Sequence, residues 1–165
     1  MKDQLAFYQL DDRLFDQAEG MDFVEGSEVA AFLERRGRIV TELLLERAPS
    51  AGELLEGLSG LLGGAFRPLI GRGGEPLGPP GPHTFCTVIS DGDLSAMRKA
   101  LAKARQALGR DRDYDPQTAD LADRLAQLTT KLKLTGSLGP VLRDLDEFLE
   151  HARAAQGVLI AVYSR

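Results

Sequence analysis

The chain has 165 residues, 43% hydrophobic and 27% charged, with one cysteine, no tryptophan and a formal net charge of −5. That length suits one domain able to bury its own core, and a lone cysteine excludes both an internal disulfide and the zinc patterns built on paired cysteines. "MKDQLAFYQLDD" lacks the long apolar stretch of a signal peptide, and no run of roughly twenty apolar residues is present for a membrane span. We therefore expect a single domain over 1–165 in a reducing, cytoplasmic compartment.

In chain order, "LAFYQL" (5–10) predicts a strand, and "DRLFDQAEG" two helical turns closed by Gly20. Val29, Phe32, Leu33, Val40, Leu43 and Leu44 recur at three- and four-residue spacing, which predicts a helix over 28–47. Gly37, costing roughly 1 kcal/mol relative to alanine, is the place where that helix would break. Pro49 ends the segment, and Ser50 followed by Glu53 is the capping-box spacing for a helix over 51–64. Glycines at 52, 57, 60, 63 and 64 make that helix dependent on tertiary contacts through its leucines. A homodimer covering the 51–66 leucines is one way to supply them.

Residues 67–83 form a Gly/Pro-rich surface connection inside the domain, with nine of the thirteen residues in "GRGGEPLGPPGPH" (71–83) being glycine or proline. A phosphate-cradling loop needs backbone N–H donors at the start of a helix; here four prolines remove them and no Gly-Lys-Ser/Thr follows. "TFCTVIS" (84–90) then predicts a strand, and Ser90 with Asp93 caps a helix whose stripe is Leu94, Met97, Leu101, Ala104 and Leu108. "RDRDYDP" (110–116) is a charged loop with Asp115 as N-cap and Pro116 in the first helical position, followed by a helix to about 134. Pro140 opens the last helix, with Gly157 as the left-handed residue that stops it. "VLIAVY" (158–163) is uninterruptedly apolar, so it predicts a central strand buried on both faces. The expected class is α/β (α+β): a small sheet of about three strands, from the start, middle and end of the chain, packed with four to six helices.

Charge is unevenly placed. Residues 1–34 hold nine carboxylates against Lys2 and Arg13. Such a field repels nucleic acid and membrane surfaces and favours a protein partner with a basic surface. Asp11, Asp12, Asp16, Glu19, Asp22, Glu25 and Glu28 are the candidate partner-binding residues. The basic groups "RRGR" (35–38) and Arg98, Lys99, Lys103, Arg105 lack interleaved aromatics and read as solvated helix faces.

An alternative reading is a small enzyme or ligand-binding domain with a pocket near the end of strand 84–90, using His83, Cys86, Asp91 and Asp93. Thiolate chemistry needs a nearby base, and His83 is the histidine next to Cys86 in sequence. Against this, Cys86 stands mid-strand, where a small buried hydrophobe is usual, and the two aspartates are accounted for by helix capping. No metal or cofactor is expected, and the chain reads as a monomer or homodimer.

"LRDLDEFLEHARAAQGVLIAVYS" (142–164) resembles the closing helix and strand of the YfbM-like family of bacterial domains of unknown function. "TVISDGDLSAMRKAL" (87–101) is similar to the strand, cap and helix that precede them there, "YDPQ" (114–117) to a loop, and "LAFYQLDD" to the first strand. The resemblance covers about half the chain and implies a compact bacterial cytoplasmic α/β domain, related to antitoxin-like immunity proteins, with no catalytic residue. The first half departs from that family, which has tryptophan and histidine there, whereas this chain has no histidine before His83. The expected function is thus a non-enzymatic protein-binding domain, an immunity-type inhibitor or adaptor with an acidic N-terminal surface.

Overall fold

In the computed structural model the described residues are 3–45, 50–109 and 116–165. Five antiparallel strands form one sheet in the order β2-β1-β5-β4-β3, with β1 at Gln4–Leu10, β2 at Arg38–Leu43, β3 at Glu75–Pro76, β4 at Thr84–Ile89 and β5 at Val158–Ser164. The apolar run at the end of the chain is the middle strand, as its lack of alternation predicts. Phe7 and Thr87 both pair with Ala161, which is fully buried between them.

Helices cover both faces. Leu5, Phe7, Ile89, Leu159, Ala161 and Tyr163 point to the larger core, built with α3 (Ala51–Leu61), α4 (Asp91–Ala107), α5 (Pro116–Lys131) and α6 (Gly139–Ala154). Phe7 stacks on Phe148 of α6 with ring centroids 4.4 Å apart. The alternate residues Leu10, Cys86, Ile160 and Val162 point the other way, to a smaller core under α1 (Asp12–Glu19) and α2 (Gly26–Arg36). Period-two alternation along β1, β4 and β5 therefore sorts side chains into two layers.

The helix expected over 28–47 is corrected. It stops at Arg36, Gly37 adopts an extended conformation with its N–H on the Leu33 carbonyl (2.8 Å), and the chain enters β2. Phe7 pairs with Thr41 and Tyr8 with Ile39, which leaves Val40 as the extra residue of a bulge. The bulge turns Val40 and Leu43 into the same core, so a strand displays the three-residue spacing of a helix. The sheet correspondingly has five strands rather than about three, β2 and the two-residue β3 being the additions.

β3 lies within the Gly/Pro-rich stretch. Gly71, at φ +72°, closes a 3₁₀ turn at Arg67–Ile70 against the Phe85 ring, then Glu75 and Pro76 pair with Val88 and Thr87 of β4. The Leu77 N–H donates to the Cys86 carbonyl (2.9 Å), and its side chain is buried in the α2-side core. Proline is tolerated because β3 is an edge strand.

The capping expectations for α4 hold: Ser90 Oγ accepts from the Asp93 N–H (3.0 Å) and Asp93 Oδ2 from the Ser90 N–H (3.0 Å). The 51–64 helix ends at Leu61, and its Leu54, Leu55 and Leu58 are buried within the chain's own larger core, which supplies the contacts these leucines require. Gly157 has the expected left-handed φ of +88°, but α6 has already ended at Ala154; Gly157 instead lets the chain pass the Leu10 carbonyl on its way into β5. The charged loop at 110–115 with its proposed Asp115 cap lies outside the described residues; α5 begins at Pro116.

Candidate docking face

β1 ends at Leu10 and the chain folds back over the smaller core as α1. Asp11 makes that turn possible: its Oδ1 accepts from the Leu14 N–H at 2.7 Å, satisfying one of the free donors at the start of the helix. Ala18 is the fully buried anchor of α1, with Leu14 and Phe15 half-buried beside it, so the outer side of the helix carries Asp12, Asp16 and Glu19 into solvent. The loop to α2 is fixed by its own acids. Glu28 Oε2 accepts from the Val24 N–H (2.6 Å), and Glu25 Oε1 accepts from Ser27 Oγ (2.6 Å).

All seven acids named from the sequence, Asp11, Asp12, Asp16, Glu19, Asp22, Glu25 and Glu28, are exposed along the stretch from α1 into α2. None forms an ion pair with a described residue. Among them stand Met21 and Val24, 41% and 79% exposed. The large hydrophobics exposed in the described part of the chain are these two with Ile39 and Leu44, all within the same N-terminal segment.

The alternative set, His83, Cys86, Asp91 and Asp93, is not assembled. His83 precedes β4 and the two aspartates follow it, so a six-residue strand separates them. The Cys86 thiol is buried beneath α2, donates to the Gly26 carbonyl at 3.7 Å, and is pushed up to about 12 by burial, the opposite of an activated thiolate. A cleft of about 610 Å³ does open at the end of β4 between α4 and α6, but of the four residues only Asp91 lines it. The three arginines there are already matched, Arg98 and Arg153 to Glu150 (3.0 and 3.6 Å) and Arg105 to Asp146 (3.0 Å). Among the described residues no group of three or more His, Cys, Asp and Glu side chains is arranged to hold a metal. No helix among them is long and apolar enough to cross a membrane.

Sequence reading misses Asp3, a polar group with four hydrogen-bond donors around it. Asp3 accepts from Tyr163 Oη (2.7 Å), Ser50 Oγ (2.8 Å) and the backbone N–H groups of Ala51 (2.8 Å) and Gly52 (2.7 Å). It thereby caps α3 from 48 residues away in sequence, alongside the local Ser50 cap. Burial alone would raise the Asp3 carboxyl, but the hydrogen bonds from Tyr163, Gly52, Ser50 and Ala51 outweigh it and hold it below its ordinary value. Burial, the hydrogen bond to Asp3 and its charge push the Tyr163 phenol up to about 12. A Cβ on Gly52 would overlap the Tyr163 hydroxyl, so the glycine is the trace of this contact in the sequence. Nothing local links it to Asp3 until β1 and β5 are known to pair.

Comparison with family models, with curated proteins and with solved structures gives no match.

Proposed function

We propose that the chain is a non-enzymatic protein-binding domain, an immunity-type inhibitor or adaptor of the bacterial cytoplasm, whose α1–α2 face docks on a basic partner. The observation that carries this reading is the set of seven exposed carboxylates between Asp11 and Glu28, none ion-paired with a described residue, in the same stretch as the exposed Met21 and Val24. The carboxylates would steer encounter and the two apolar side chains would supply the desolvated centre of the contact. The immunity assignment within this reading is what the resemblance of the C-terminal half to the YfbM-like family implies, and it is proposed with it.

Capture tests it. The protein carrying a C-terminal tag is incubated with lysate of its source cells at low and at moderate salt, and bound proteins are identified. The expected result is a stoichiometric basic protein retained at low salt and released as salt rises, because screening weakens contacts between exposed charges. A clean bait at both salts overturns the proposal.

A further inference from the structure

A second concavity, of about 360 Å³, lies along β1 and the edge strand β2 beside α2, and also touches Leu5, Leu43, Leu45 and Ala51 of the larger core. Ala6 and Tyr8 of β1 and Val162 of β5 line its base; Ala30 and Glu34 of α2 stand on one side, Glu42 and Leu44 on the other. The register explains the arrangement: Ala6 pairs with Glu42 and with Val162, which puts the three on one face. Ala30 and Glu34, four apart on α2, share the stripe above them.

Among the described residues that line the groove, the charged ones are all carboxylates. No described Lys, Arg or His lines it, and neither Glu34 nor Glu42 is ion-paired with a described residue. Asp3 reaches one end, but its carboxylate is committed to α3 and Tyr163. Burial, then the charges of Glu34 and Glu42, push the Tyr8 phenol above its ordinary value, so both carboxylates bear on the ring at the base of the groove. Leu44, 72% exposed, forms an apolar rim.

We propose that this groove receives a lysine or arginine side chain from an extended segment of the protein partner. Its aliphatic stem lies on Ala6, Tyr8 and Val162, its cationic head sits between Glu34 and Glu42, and a neighbouring apolar residue packs on Leu44. An amphipathic cation suits this surface because its stem favours apolar contact, its charge favours carboxylates and aromatic faces, and both ends are served at once. Strand addition to β2 is disfavoured by the Val40 bulge, which interrupts the regular edge. The inference rests on the docking reading above but uses different residues, so each is separately testable.

The probe is the peptide acetyl-Leu-Arg-Leu-amide, titrated at low salt into isotopically labelled full-length protein and followed by NMR, with acetyl-Leu-Gln-Leu-amide as control. Saturable shifts at Ala6, Tyr8, Ala30 and Leu44 are expected with the arginine peptide only. Glu34→Gln with Glu42→Gln should weaken it by about tenfold, while Asp11→Lys, Asp12→Lys and Asp16→Lys together leave it within about twofold. Equal shifts with the glutamine peptide, shifts centred elsewhere, no shifts at all, or an affinity unchanged by the glutamate pair would overturn the groove assignment. A native chain whose groove titrates normally but which captures no partner would place the failure in the α1–α2 docking reading instead.

Discussion

Asp3 shows how one side chain can join three distant pieces of chain. Its carboxylate ties the start of β1 to the first turn of α3 and to Tyr163 near the end of β5. Replacing Asp3 by alanine leaves the α3 donors and the Tyr163 hydroxyl without that partner and should lower stability by about 2 kcal/mol. Because the folded carboxyl lies below its ordinary value of 3.8, its contribution is complete above that value and is lost as pH falls through the lowered one. The Tyr163 phenol is shifted upward, so its contribution is complete below 10 and is lost as pH rises towards about 12. Urea unfolding across pH should therefore show a shallower acid limb in Asp3→Asn and a shallower alkaline limb in Tyr163→Phe. Cys86 gives a simpler readout: with its thiol buried and raised to about 12, a thiol reagent should label it only as fast as the protein opens.

At the scale of elements, glycines mark where backbones come close. α2 meets β4 at Gly26, where a Cβ would overlap the Thr84 carbonyl oxygen, a backbone atom that cannot swing aside. Gly60 in α3 faces open space. Gly26→Ala should then cost on the order of 2 kcal/mol through overpacking, whereas Gly60→Ala should stabilise by roughly 0.5 kcal/mol through the less flexible unfolded chain, a difference in sign that thermal melts would resolve. Much of this layer was legible in the sequence. The stripes of α4, α5 and α6, the Ser90–Asp93 cap and the apolar β5 each rest on local pattern, and local pattern is what one chain displays. β2 was hidden because the Val40 bulge puts Val40 and Leu43 on one side and imitates helical spacing. β3 was hidden because two residues flanked by Gly and Pro carry no strand periodicity, and their pairing is set by β4 rather than by themselves.

For the molecule as a whole, the sheet divides the chain into unequal layers. Four helices bury the larger core, while α1 and α2 with the Leu77 segment cover the other face, and that thinner layer presents the acidic excess and the exposed Met21 and Val24. The acids themselves could be named from the sequence because charge counting needs no coordinates. Their apolar companions and the Glu34–Glu42 groove could not, since exposure of Val24 and the facing of Glu42 towards α2 depend on packing and register. The central claim is that this layer recognises a basic partner by charge as well as by apolar contact. Its most direct test is the association rate of the captured partner measured against ionic strength, for the native chain and for the variant with Asp11→Lys, Asp12→Lys and Asp16→Lys. Electrostatic docking predicts that the native rate falls steeply with salt, and that the folded variant associates at least tenfold more slowly with little salt dependence left. Equal rates and equal salt slopes for the two proteins would contradict it.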